Sequence, residues 1–113
     1  MATAVFADIP HHVTQRGNRR QQVFFKEEDY CLYCLYKSLI SQYCKLHRVK
    51  IRAYCLMPDH VHLVLVPSEK AALACAIGEA HRRYTRSINF HKDWRGYLWQ
   101  GRFASFPMDE KYL

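Results

Sequence analysis

Two histidines one residue apart, His60-Val61-His62, carry the sharpest chemical signal in this 113-residue chain. In an extended strand, residues i and i+2 point to the same face, about 6.6 Å apart at about 3.3 Å per residue. Two imidazoles so placed can converge on one divalent cation, each ligating from about 2 Å. The plainer reading is a pair of surface histidines, because two ligands leave such an ion short of a third anchor and of oxygen donors. Asp59 is adjacent, but alternation turns it away from His60, and no other third ligand stands out. Val61, Leu63 and Leu65 fall on the opposite side of the same strand. The histidines are therefore expected on a sheet face that no helix covers.

Other candidate groups read more blandly. Cys31 and Cys34 form a C-x2-C, but inside a helical pattern, with no second C-x2-C or histidine pair to close a zinc site. Five cysteines are an odd number, and Met1–Ile9 lacks the basic flank of a secretory signal, so reduced thiols in a cytoplasm are expected. Tyr30, Tyr33 and Tyr36 read as helix packing. His11, His12, His47, His81 and His91 read as polar surface or nucleic-acid contacts.

Charge narrows the partner. Seventeen Lys and Arg against ten Asp and Glu leave the chain at +7. Arg82, Arg83, Arg86, Lys92, Arg95 and Arg102 crowd one stretch against the single acid Asp93, and Arg16, Arg19 and Arg20 form a second cluster. Such concentration suits a polyanion, although a solvated basic surface would look the same. No run approaches 18 apolar residues, so no membrane span is expected.

The elements that must hold these residues follow from periodicity, and the length suits one domain over 1–113. His11–Arg16 reads as a short strand between Pro10 and Gly17-Asn18. Glu27, Glu28 and Asp29 suit a helix N-terminus, and Leu32, Leu35, Leu39, Tyr43 and Leu46 then predict one apolar helix face. From Val49 the period becomes two, with Val49, Ile51, Ala53 and Cys55 on one buried face. A turn at Met57-Pro58-Asp59 leads into the strand His60–Val66. Lys70 to about His91 is helical on a stripe of Leu73, Ile77, Ala80, Tyr84 and Ile88, and Arg102–Phe106 closes as a strand. The fold class is α+β. The order β-α-β-β-α-β is the ferredoxin-like arrangement, one antiparallel sheet with both helices on one face.

Four blocks of residues resemble a known family. Pro10–Gln21, Ala53–Leu63 with its His-x-His, Arg83-Tyr84-Thr85 and Gly96–Phe103 with Trp99-Gln100-Gly101-Arg102-Phe103 are similar to the REP-associated tyrosine transposases. These belong to the HUH (His-hydrophobic-His) single-strand nucleases. The resemblance implies that His60 and His62 ligate Mg²⁺ or Mn²⁺ at a scissile phosphate of single-stranded or hairpin DNA. It also implies that a tyrosine attacks that phosphate to form a phosphotyrosine that is later rejoined. Candidate DNA contacts are Arg16, Asn18, Arg19 and Arg20, with Arg82, Arg83 and Arg102 for phosphate, Gln100, and Trp99 for base stacking. A cytoplasmic, nucleoid-associated protein is implied, and a homodimer is left open.

The sequence departs from that family at both ends. Met1–Ile9 lacks the usual Arg-rich start. The nucleophile belongs to a Tyr-x-x-x-Asn-Pro helix, and the chain stops at Leu113, where that helix should begin. The expectation is a domain truncated before its last helix and without strand cleavage of its own; Tyr112 is the only late substitute, about two turns early. The alternative is a non-catalytic nucleic-acid-binding module. An RNA-recognition domain shares the element order but lacks its signature here, and a structural zinc protein lacks its ligands.

Overall fold

A computed structural model describes residues 4–25 and 31–108. Its elements run β1 (His11–Arg16), α1 (Leu32–Leu46), β2 (Val49–Met57), β3 (His60–Pro67), α2 (Ala72–Lys92) and β4 (Ala104–Pro107), with a 3-10 turn at Asn18–Arg20. The four strands form one antiparallel sheet in the order β2-β3-β1-β4. This is the expected ferredoxin-like arrangement. Among the described residues no helix is long and apolar enough to cross a membrane.

The core lies between one sheet face and the two helices. Val61, Leu63 and Leu65 of β3 and Val13 of β1 are buried there, against Leu73, Ile77, Ala80, Tyr84 and Ile88 of α2. The expected α2 stripe is thus the buried one. On α1 the buried face is turned from the expected one. It consists of Leu32, Tyr36, Leu39, Ile40, Tyr43 and Cys44, while Leu35 lies at its margin and Leu46 is 65% exposed. Tyr36 and Cys44 win those places because the wall they meet is aromatic and polar as well as aliphatic: the Tyr36 hydroxyl finds the His81 ring at 2.6 Å. Burial pushes both the Tyr36 hydroxyl and the Cys44 thiol up, the latter to about 12.

Two further expectations are corrected. Cys31 and Cys34 are joined as a disulfide rather than left as thiols. Cys31 is the N-cap of α1 and its Sγ accepts from the Cys34 N–H, so the first helical turn carries the two sulfurs to one side. Strand β2 does not bury one continuous face. It is an edge strand, and its register against β3 shifts between Ile51 and Ala53. That bulge reverses which residues face the helices: Ile51 pairs with Leu65, but then Tyr54 pairs with Leu63 and Leu56 with Val61. The acids Glu27, Glu28 and Asp29, and Tyr30, lie outside the described residues.

The observed core and the rotated α1 face have a direct consequence for stability. Leu63→Ala is expected to cost about 2–5 kcal/mol and Leu39→Ala a comparable amount, while Leu46→Ala should stay within about 0.5 kcal/mol in urea denaturation.

Candidate active site

The opposite sheet face is a small grid fixed by strand register. Paired residues in an antiparallel sheet share a face, so Met57, His60 and Arg16 form one row, and Cys55, His62, Thr14 and Ala104 the next. Ala53, Val64, His12 and Phe106 form the third. The β2 bulge is what brings Cys55 and Met57 out beside the histidines. With Val61 and Leu63 buried on the inner face, alternation puts His60 and His62 on this outer face, as expected.

Within the grid the imidazoles are held from both sides. His60 Nδ1 lies 2.7 Å from Asp59 Oδ1, and His62 Nδ1 lies 3.1 Å from His12 Nε2. The His12 and His62 rings stack at 5.2 Å, and the His60 and His62 rings meet edge to face at 4.9 Å. Asp59 therefore does not point away from His60. It sits in the turn before β3, where strand alternation no longer governs it. His12 is the residue that local pattern could not reveal, since only the pairing of β1 with β3 brings it to His62.

The electrostatics favour a neutral His62 ring. Burial, then the neighbouring His60, His12 and Arg16 charges, holds the His62 pKa below its ordinary value. The hydrogen bond to His60 holds the Asp59 carboxyl below the usual range. When His60 Nδ1 donates to Asp59 and His62 Nδ1 donates to His12, both Nε2 atoms keep a lone pair, the state of a ligand with its outer partner in place. The pair thus suits a divalent cation as a two-point anchor. Among the described residues no set of three or more His, Cys, Asp or Glu side chains is arranged to hold a metal ion.

The other candidates divide by location. The Gly17 N–H donates to the Asp59 carbonyl at 2.8 Å, the Asn18 N–H to that of Leu98 at 2.8 Å, and the Gln100 N–H to that of Arg16 at 2.8 Å. These bonds gather Arg16, Asn18, Arg19, Arg20 and Gln100 at the His60 end of the sheet, and Arg19 and Arg20 stand exposed there with positive φ. Arg102 is exposed in the segment leading to β4. Arg82 and Arg83 are not part of this group. They lie on α2 in the helix layer, where Arg83 Nη1 donates to the Tyr43 hydroxyl at 3.1 Å.

Trp99 cannot serve as a stacking surface for a base. It is only 8% exposed and packs in the core on the ring of His81 at 4.2 Å, because its backbone bridges to Gly17 and draws the loop inward. Its indole N–H has no hydrogen-bond partner among the described residues. His81 and His11 are likewise buried rather than on the surface. Tyr112 lies outside the described residues.

The family described as Transposase IS200 like matches residues 5–113. The chain belongs to the IS200-like transposases. No curated protein matches it. Among solved structures, this IS200-like chain is similar to a REP-associated tyrosine transposase bound to a REP hairpin, with a TM-score of 0.74 and 17% identity over 97% of the chain. The chain spans 61% of that structure's length. It is also similar to a candidate transposase from Deinococcus radiodurans R1, with a TM-score of 0.70 and 20% identity, covering 99% of this chain and 88% of the other. These likenesses establish the fold.

Two expected outcomes follow for this IS200-like site and the core beneath it. A Cβ at Gly17 would run into the Gln21 carbonyl oxygen and lie 3.0 Å from Val23 Cγ1, whereas one at Gly78 meets nothing. Gly17→Ala should cost about 1–3 kcal/mol, and Gly78→Ala, inside α2, should gain about 0.5–1 kcal/mol; thermal unfolding separates the two signs. Burial drives the His81 pKa down to about 3 from 6.5. The unfolded chain therefore takes up that proton first. Stability should be full above pH 6.5 and fall toward pH 3, by up to about 1.4 kcal/mol per pH unit. His81→Gln should remove that component of the slope in urea titrations at pH 7 and pH 5.

Proposed function

We propose that this chain binds single-stranded or hairpin DNA across the open sheet face and engages one phosphate of the strand at the His60–His62 pair. The observation that carries this reading is the pair itself. Two imidazoles, each with Nδ1 occupied by a neighbour, stand beside Arg16 on a face without helices, in a chain of the IS200-like transposase family. A similar structure is bound to a REP hairpin, which supports hairpin DNA as the class of ligand.

His60 and His62 would hold Mg²⁺ or Mn²⁺, which when bound withdraws charge from a scissile phosphate. Asp59 and His12 orient the two rings and fix which nitrogen keeps its lone pair. Arg16, paired across from His60, and Arg19 and Arg20 on the following turn attract and register the phosphodiester backbone. In this reading the reaction is nicking and rejoining through a phosphotyrosine, which keeps the energy of the broken bond for religation.

A second reading is favoured by one observation: among the described residues the grid of the open face contains no tyrosine. In that reading the chain binds DNA without cutting it.

One experiment separates them. Labelled hairpin DNA is incubated with Mn²⁺ and resolved on a denaturing gel, using wild type, His60→Ala and Tyr112→Phe. A covalent adduct lowered about 100-fold or more by His60→Ala supports cleavage at the pair, and its loss in Tyr112→Phe names that tyrosine as nucleophile. No adduct, with hairpin binding intact, supports the non-catalytic reading. Binding should weaken with salt, and Arg16→Ala should reduce the log–log salt slope by about one; salt-independent binding, or none, contradicts both.

A further inference from the structure

Large aromatic side chains gather in solvent where α2 ends. Phe90 is 90% exposed, Tyr97 85% and Trp94 42%. Trp94 and Tyr97 line an open cavity of about 420 Å³ together with Gln21, Asn89, Asp93 and Arg95. None of these residues belongs to the histidine grid.

Gln21 Nε2 donates to the Leu98 carbonyl at 3.1 Å, and Asn89 Nδ2 donates to the Gly96 carbonyl at 3.1 Å. The two amides have thus committed donors to the loop. Toward a ligand the Asp93 carboxylate offers a charged acceptor, and Arg95 offers a cation with hydrogen-bond donors. Asp93, the left-handed C-cap of α2, has no ion pair with a cation among the described residues. Aromatic faces, hydrogen-bond acceptors and an arginine together suit a nucleotide: a ring to stack, exocyclic amines to accept from, and a phosphate to pair.

The cavity also adjoins the histidine site through a single turn. The Asn18 N–H holds the Leu98 carbonyl on one side, and the Gly17 N–H holds the Asp59 carbonyl on the other. The exposed Arg19 and Arg20 lie on that same turn. A strand leaving His60 along the turn would meet cations first and aromatic rings next.

We propose that this cavity captures an unpaired nucleotide of the bound DNA strand, stacking its base on Tyr97 and Trp94 and preferring bases with an exocyclic amine over thymine. The proposal rests on the DNA-binding reading above and adds the site that would select among bases. Asp93 accepts from the amine, and Arg95 pairs with the phosphate of the same nucleotide.

The test uses the full chain and fluorescence anisotropy of short labelled oligodeoxycytidine and oligothymidine strands, beside a labelled hairpin. The cytidine strand should bind several-fold more tightly than the thymidine strand. Tyr97→Ala should weaken binding of both by about tenfold, and Tyr97→Phe should restore it. Because Tyr97 is so exposed, an unchanged melting temperature certifies the fold of these variants. Asp93→Asn should bring the two affinities together, read as their ratio because the lost negative charge strengthens both. Wild type that binds the strands but loses nothing in Tyr97→Ala overturns the proposal and leaves the DNA-binding reading standing. Binding of the hairpin but of neither strand does the same. Binding of none of the three DNAs overturns both readings.

Discussion

Burial of Val61, Leu63 and Leu65 beneath the two helices is the constraint on which the rest of the structure depends. Side chains alternate with a period of two, so a one-residue slip of β3 would carry the aliphatic row into water and both histidines into the core. Each side of that exchange is costly: the aliphatic groups lose burial, and the imidazoles lose partners. The position of His60 and His62 is therefore set by residues that never touch a ligand. Strand β1, paired to β3 through Arg16–His60 and Thr14–His62, then brings His12 and Arg16 to the same face.

Three environments give histidine three different behaviours in this chain. His81 is sealed in the core against Tyr36 and Trp99, where a charge would have no water, and it remains neutral far into acid. His62 is only partly covered, and its pKa is lowered first by burial and then by the His60, His12 and Arg16 charges around it. His60 has a carboxylate at its Nδ1. In the proposed reading, Arg16 beside these rings would attract a phosphodiester while the Nε2 lone pairs would stay open to a cation, the combination that phosphoryl chemistry requires. The turn at Gly17 joins this face to the aromatic end of α2 through backbone bonds and through the Asn18 and Gln21 amides, which donate to the Tyr97 and Leu98 carbonyls.

Much of this was legible in the sequence, and the failures have physical reasons. The α2 stripe and the β3 alternation are strong because each element buries one side only. On α1, leucine spacing misled because two polar-tipped residues, Tyr36 and Cys44, took core positions that Leu35 and Leu46 did not. The β2 bulge has no local signature, yet it decides that Cys55 and Met57, and not Tyr54 and Leu56, flank the histidines. His12 could be found only from strand pairing, which is non-local. Trp99 looked like a surface aromatic in a loop until its bridge to Gly17 folded it inward. The C-x2-C gave spacing but not bonding, and the cap geometry of α1 supplied the rest.

The most direct measurement is a Mn²⁺ titration followed through the ring resonances of the histidines by NMR. Paramagnetic broadening depends steeply on distance from the ion, and it reads the anchor without reference to strand cleavage. His60 and His62 should broaden first, with His12 next and His47 and His91 only at much higher metal. Simultaneous broadening of all exposed histidines, or broadening that spares the His60–His62 pair, would contradict a cation site built on the open face of this sheet.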